Sequence, residues 1–218
     1  MVIVGWDGSA GGEDALELGR LLAFALGDDY AAVSVMVTGA SPHARTELDD
    51  GRGARVVVAP SVAVGLNDVA VEEGATAVVV GSSHRSALGR VMFGTDAEHL
   101  ARIISCPVAV APRGFARRYA ARLHNIEAEF DGSPQSRRAL DLAARIAEGN
   151  GGSVRVRAPR ALRAEVERIL PGLPRGVVYE VDEDEGSEES AADLRILPGH
   201  ARTGAHATHA AAGVMLMF

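Results

Sequence analysis

Residues 81–95 combine residue types and a spacing that could bind an anion. Gly81 is followed after two residues by His84, and after nine more by Gly94 and Thr95. Glycines can present backbone N–H groups to phosphate oxygens, and a helix that begins at Thr95 would add the positive end of its dipole. Such a loop could hold phosphate groups without a lysine. The alternative is a strand-to-helix connection whose glycines serve only the turns, and the spacing alone does not choose between the two.

Side chains of the same stretch could act on a phosphate or serve the protein alone. Arg85 and Arg90 could make bidentate contacts to phosphate or remain solvated. The imidazole of His84 could donate to a phosphate, or its bulk could block close approach. Thr95 and Glu98 stand at the spacing of a capping box, in which the hydroxyl of Thr95 would serve its own helix. The capping box favours a weaker anion site.

Two buried strands and a helix are expected to position this loop. Residues 77–80 and 108–111 are apolar runs without alternation, which suits strands covered on both faces of a parallel sheet. A helix is expected to begin near Thr95, between them. The loop after the first strand then lies at the carboxyl edge of the sheet, where open α/β sheets bind their ligands.

Strands and helices are expected to alternate over the rest of the first half. Asp7-Gly8-Ser9 can start a helix, and Gly27 stands where a helix-ending glycine is expected. Residues 43–53 are short and polar, so we expect a loop or a turn or two of helix there. The alternation predicts an α/β fold with a doubly wound, mostly parallel sheet. The expected strands are residues 2–4, 32–37 and 55–59, and the expected helices are residues 15–26 and 62–73.

This pattern resembles the universal stress protein family. The family carries the spacing G-2x-G-9x-G-(S/T) at this point, followed by a helix and a strand like Cys106-Pro107-Val108. The opening VIVGWDGS, with Asp7, is similar to the family's first strand. In this chain His84 stands where the second glycine of the motif is found. The resemblance implies a five-stranded sheet of the adenine nucleotide alpha-hydrolase type.

The resemblance also implies an adenine-nucleotide site. Asp7 would contact the adenine or the ribose, although Asp131 occupies the same place in the second half and a turn-capping role is the alternative. The backbone at Val37 would touch adenine, and the glycine loop would hold the phosphates. The ligand would be ATP or another adenine nucleotide, with or without magnesium. The candidate binding residues are Asp7, Val37, Gly81, His84, Arg85, Arg90, Gly94 and Thr95.

The opening pattern returns about halfway along the chain. Residues 124–134 repeat the first strand and its turn, and residues 135–148 repeat the first helix. The sequence therefore predicts two tandem copies of one fold, residues 1–118 with the candidate site and residues 119–218 as a degenerate copy. Further strands are expected at residues 153–157, 176–181 and 193–197, and a further helix at residues 162–170.

The second copy is expected to be shortened. Residues 180–189 are acidic and poor in apolar side chains, which is typical of a solvated loop. After Leu197 only about half of the length needed for a phosphate loop and its helix remains, so this copy is expected to lack a site. By the same resemblance, residues 108–111 and 214–218 would pair and make the chain an internal pseudodimer. Further pairing into a homodimer is left open.

Composition and spacing exclude several kinds of site. All 22 basic residues are arginine, which removes the P-loop lysine, the kinase strand lysine and any lysine Schiff base. The net charge is −7 and the arginines are spread through both halves, so no nucleic acid partner is expected. The cluster of His200, His206 and His209 has no carboxylate or cysteine at ligand spacing, so no metal is expected.

The location of the protein is expected to be the cytoplasm. No apolar run of about 18 residues indicates a membrane span, and the start does not resemble a signal peptide. Cys106 is the single cysteine, which fits a reducing compartment. We expect it to be a small core residue and not a nucleophile.

Two functions of different classes follow. The first is a cytoplasmic stress-response protein that binds an adenine nucleotide in its first half. It would have a regulatory or signalling role and at most slow ATP hydrolysis, since no general base is evident beyond Asp7. The alternative is a scaffold of the same fold that binds no nucleotide and acts through protein association or dimerisation.

Overall fold

Strands and helices alternate along the chain. The computed structural model describes residues 1–37, 48–49, 53–88, 90–117, 122–183, 192–199 and 213–217. The first half contains β1 (Val2–Gly5), α1 (Ala10–Leu26), β2 (Tyr30–Val37), β3 (Leu48–Asp49), β4 (Arg55–Ala59), α2 (Val62–Glu72), β5 (Ala77–Gly81), α3 (Thr95–Ile103) and β6 (Val108–Ala111). The second half contains β7 (Asn125–Glu129), α4 (Pro134–Asn150), β8 (Ser153–Ala158), α5 (Arg163–Ile169), β9 (Val178–Glu183), β10 (Leu194–Pro198) and β11 (Gly213–Met217).

Helices α1 and α4 have the same capping residues at both ends, a serine at the N-terminus and a glycine at the C-terminus. The hydroxyl of Ser9 accepts the backbone N–H of Gly12 at 3.1 Å, and Ser133 caps α4 in the same way. At the other end, Gly27 and Gly151 adopt left-handed φ values of 66° and 63°, which glycine reaches without strain. The repeat in the sequence is therefore a repeat of local structure.

The eleven strands within the described residues form one sheet in the order β3-β4-β2-β1-β5-β6-β11-β10-β7-β8-β9. Setting β3 aside, each half places its strands in the order third, second, first, fourth, fifth. Neighbouring strands are parallel except at β3–β4 and at β6–β11, where the halves meet with Val110 opposite Val214. The α/β class and the mostly parallel sheet are confirmed, and the repeated order fits two copies of one fold.

One face of the sheet has a core that runs through both halves. Buried side chains of α1 and α4 pack together over β1, β5, β7, β8 and β10. The two helices approach closely, because a Cβ at Gly149 would overlap the carbonyl oxygen of Ala25. This face joins the halves by packing as well as by strand pairing.

The other face differs between the halves. In the first half, α2 and α3 cover apolar strand residues such as Ile3, Val33 and Val78. In the second half the corresponding face carries a row of alternating charges across neighbouring strands, in the order Arg195, Glu127, Arg155, Glu180. We call this row, with Glu129, Arg157 and Asp182 beside it, the charge ladder.

The expected strands and helices are present in the described residues, with ends shifted by at most five residues, and one described strand was missed. Residues 48–49 form a short strand antiparallel to β4, where only a loop or short helix was expected. A two-residue strand is too short to show a strand pattern in sequence. The rest of residues 43–52, the domain boundary near residue 118 and the histidine cluster lie outside the described residues. Of the acidic segment 180–189, expected to be a solvated loop, residues 180–183 belong to β9, so the expectation was wrong there, and the remainder lies outside the described residues.

Candidate functional site

The loop between β5 and α3 is closed at its base by Ser82 and Met92. The backbone N–H of Ser83 donates to the carbonyl oxygen of Met92 at 2.8 Å. The N–H of Met92 donates to Oγ of Ser82 at 2.7 Å, and that hydroxyl donates to the carbonyl of Met92 at 3.1 Å. The neck of this loop, residues 82–93, is therefore held by three hydrogen bonds.

The interior of the loop is packed. Ser86 is buried, and its hydroxyl donates to the carbonyl oxygen of Arg90 at 2.7 Å. Val91 and Phe93 are buried against α3. The side chains of His84 and Arg90 are exposed. The loop is thus a folded unit with its cationic side chains at the surface.

Gly81 serves packing. A Cβ at this position would overlap the backbone of Gly11, in the first turn of α1. A Cβ at Gly11 would in turn lie 3.6 Å from the carbonyl oxygen of Ser82. The N-terminus of α1 therefore lies directly against the end of β5 and the start of the loop.

Gly94 and Thr95 differ from expectation at the start of α3. Gly94 is the N-cap residue, with φ −85° and ψ 168°, and no side chain caps the helix. The expected capping box was therefore wrong, and Thr95 is the exposed first residue of the helix. A Cβ at Gly94 would meet only Ser83 Cβ, at 3.8 Å, which is an ordinary contact. Neither packing nor backbone conformation demands glycine here.

Asp7 and Val37 lie at the same edge of the sheet as the loop. Strands β2, β1 and β5 are parallel neighbours, so the residues that follow them meet at one edge. Asp7 is exposed, and its Oδ1 accepts the N–H of Ser9 at 3.0 Å. Asp131 makes the same contact in the second half, at 2.9 Å. Val37 is 56% exposed at the end of β2.

Of the eight candidate residues, six lie on the loop and its two ends. These are Gly81, His84, Arg85, Arg90, Gly94 and Thr95. The structure brings the N-termini of α1 and α3 to residues 81–83, since Gly11 borders Ser82 and Gly94 borders Ser83. Each helix N-terminus has unpaired N–H groups and a partial positive charge, so this place favours an anion.

Sequence reasoning missed Arg113 and Asp14. One guanidinium nitrogen of Arg113 donates to the carbonyls of His84 at 3.2 Å and Ser86 at 2.8 Å. Asp14 is buried on α1 and accepts the backbone N–H groups of Gly114 and Ala116. Asp14 could have been found from the sequence, because it is a charged residue on the otherwise apolar face of the predicted first helix. Arg113 could not, because its partners lie more than twenty residues away in sequence.

Burial raises the pKa of the Cys106 thiol to about 11, so this residue is protonated at neutral pH.

Among the residues that the structure describes, no three His, Cys, Asp or Glu side chains lie close enough to hold a metal ion. Within the described ranges, every helix is too short or too polar to cross a membrane.

Comparison with known proteins gives a family match for part of the chain and a similar fold over 99% of it. Residues 44–112 match the model of the universal stress protein family. A universal stress protein from Archaeoglobus fulgidus DSM 4304 has a similar structure, with a TM-score of 0.66 and 13% identity, covering 99% of this chain and 97% of that one. A functionally unknown protein from Pseudomonas aeruginosa PAO1 gives 0.61 and 15%, covering 99% and 91%.

None of the curated proteins matches the chain. The structural neighbours share only 13% and 15% sequence identity with this chain, so their similarity is evidence for the fold alone. The chain therefore has the fold of a universal stress protein, and residues 44–112, which contain the whole β5–α3 loop, match that family by sequence.

Proposed function

We propose that this chain is a stress-response protein that binds an adenine nucleotide in its first half and acts in regulation or signalling. Gly94 carries the proposal. It lies at a helix N-terminus where a Cβ would make one ordinary contact, with Ser83, so nothing in the fold requires a glycine there. A phosphate approaching the backbone N–H groups of α3 would require one, because a side chain would occupy that space.

The surroundings of Gly94 fit the phosphates of a nucleotide. The N-terminus of α1 supplies a second positive helix end, and Arg85 and Arg90 lie exposed on the loop. Asp7 and Val37, at the same edge of the sheet, would face the ribose and adenine. Magnesium would arrive with the phosphates, because the described residues offer no cage of carboxylates for it.

Catalysis would be slow at most. Asp7 lies at the same edge of the sheet as the proposed nucleotide, and one of its oxygens already accepts the N–H of Ser9. A general base needs a free oxygen within reach of the attacking water. We therefore assign the site to binding, with ATP hydrolysis as a minor activity.

The first half would hold one site per chain. Residues 82–107 connect β5 to β6, whereas only residues 199–212 connect β10 to β11. The charge ladder replaces the apolar face on which α2 and α3 rest in the first half. The second copy would act as the partner of an internal pseudodimer, which the pairing of β6 with β11 supports.

The cytoplasm is the proposed location, because the single Cys106 can form no internal disulfide. A homodimer is compatible with this proposal and is not required by it.

Calorimetric titration with ATP, ADP and AMP, with and without magnesium, tests the proposal. We expect one nucleotide per chain, with binding lost in Gly94→Val and kept in Gly176→Val. Gly176 is a matched control, since a Cβ there meets nothing within 4 Å and one at Gly94 makes only an ordinary contact. Absence of binding at millimolar nucleotide would overturn the proposal and favour the scaffold.

His84→Gly gives a second test at the same site. Tighter binding than in the parent protein would mean that the imidazole obstructs the phosphates, and weaker binding would make it a ligand. An unchanged affinity would place the nucleotide away from this loop.

A further inference from the structure

Arg113 connects the β5–α3 loop to the segment that leads into the second half. It follows β6 by two residues, and the described part of this segment runs to residue 117. Its guanidinium donates to the carbonyls of His84 and Ser86, and its backbone N–H donates to the carbonyl of Arg90 at 3.1 Å. Arg113 thus binds three carbonyls spread over the loop.

The segment itself is fixed to α1. The carboxylate of Asp14 is 3% exposed and accepts Gly114 N–H at 2.7 Å and Ala116 N–H at 2.8 Å. Phe115, between them, is buried in the core that both halves share. Hydrogen bonds to a buried carboxylate are among the stronger ones in proteins. The backbone that follows Arg113 is therefore held firmly in place against α1.

A side chain of the loop rests on the same segment. Gly114 has a φ of +82°, and a Cβ there would lie 2.5 Å from Cδ1 of Leu88. Leu88 is nevertheless 77% exposed, so the apolar contact is small. Between this segment and residues 84–88, the hydrogen bonds of Arg113 are therefore the stronger link.

We propose that Arg113 is a positioning residue that holds the β5–α3 loop in its binding shape and couples that shape to the segment joining the halves. The part concerning the ligand rests on the proposed nucleotide site. Arg113 acts on the phosphates through the loop, since its NH1 donates to loop carbonyls. Anything that moves residues 113–117 would then change nucleotide affinity.

Amide hydrogen exchange of the ligand-free full chain tests the hold on the loop. In Arg113→Met, which keeps the length and removes the donors, we expect the N–H groups of Ser86 and Arg90 to exchange roughly ten- to a hundredfold faster. Arg113→Lys should restore much of the protection, because one ammonium can donate to both carbonyls. Arg117→Ala, an exposed arginine of the same segment, is the control.

Nucleotide titration of the same variants tests the ligand part. Arg113→Met should weaken binding by at least about tenfold, with partial rescue in Arg113→Lys and no change in Arg117→Ala. An arginine that only touched the nucleotide would leave exchange in the ligand-free loop unchanged, and that result would overturn the proposal. If Arg113→Met speeds amide exchange in the loop but leaves the nucleotide affinity unchanged, the proposed coupling between loop shape and nucleotide binding is overturned.

The two proposals can fail separately. If the parent protein binds no nucleotide, the proposed function and the ligand part of this inference both fail. The exchange rates then still decide whether Arg113 holds the loop.

Discussion

Gly81 and Gly94 belong to one sequence motif, but packing requires glycine only at the first of the two positions. Gly81 has no room for a Cβ, because the backbone of α1 lies against it at Gly11. Gly94 has room and an ordinary extended backbone. The spacing of the motif in the sequence does not distinguish the two positions. Only the structure shows that packing explains the first glycine and does not explain the second. The nucleotide proposed above would explain the second.

Gly81→Ala should destabilise the fold. The new methyl group would overlap backbone atoms, which cannot move aside as a flexible side chain can. We expect the free energy of unfolding to fall by about 1–3 kcal/mol, measured by urea denaturation. Gly94→Ser is the control, since serine is a good N-cap residue. Equal stability of the two variants would contradict the close packing at Gly81.

Cys106 should react slowly with alkylating agents. Burial raises its thiol pKa to about 11, so the thiolate at pH 8 is about one part in a thousand. The thiol should remain protonated until the pH approaches the raised pKa. We expect iodoacetamide to modify it at least roughly tenfold more slowly than free cysteine at pH 8, allowing for the higher intrinsic reactivity of a basic thiolate. A rate equal to that of free cysteine would contradict the raised pKa.

At the scale of elements, periodicity and turn residues predicted most of the fold. The serine caps and the closing glycines placed α1 and α4, and apolar runs placed the central strands. The start of α3 at Thr95 was predicted correctly, but the capping box was not, because the N-cap residue is Gly94 and no side chain caps the helix. Arg113 could not be found, since its contacts depend on the fold bringing β6 beside β5.

The charge ladder shows how the second half tolerates buried charges on one face of its sheet. Glu127 is 1% exposed and lies 2.8 Å from Nε of Arg195 and 3.7 Å from NH1 of Arg157. Arg195 also contacts Glu129 at 2.8 Å. Each buried charge thus has a partner of opposite sign on a neighbouring strand, which offsets the cost of its desolvation.

Glu127→Gln should be strongly destabilising. It leaves two buried arginines with one fewer negative partner, so we expect a loss of about 3–5 kcal/mol in the free energy of unfolding. Glu180→Gln, at the exposed end of the same row, should cost about 0–1 kcal/mol. Chemical denaturation of both variants gives the comparison. Similar small losses in both would mean that Glu127 is not desolvated.

At the scale of the molecule, the two halves should unfold as one. They share a sheet through β6–β11, and the core of α1 and α4 has no boundary between them. Trp6 is the only tryptophan and lies in the first half, with its indole N–H bonded to Glu13. Its fluorescence therefore reports on one half, while far-UV circular dichroism reports on both.

Gly149→Ala tests this cooperativity from the opposite half. Alanine alone would favour the helix, so a loss of stability must come from its overlap with the Ala25 carbonyl of α1. We expect about 1–3 kcal/mol of destabilisation, with the Trp6 fluorescence and circular dichroism midpoints lowered together. Gly176→Ala, in open space, should leave both midpoints in place. A circular dichroism midpoint that falls while the Trp6 midpoint stays would show that the halves unfold separately, and that the shared core does not couple them.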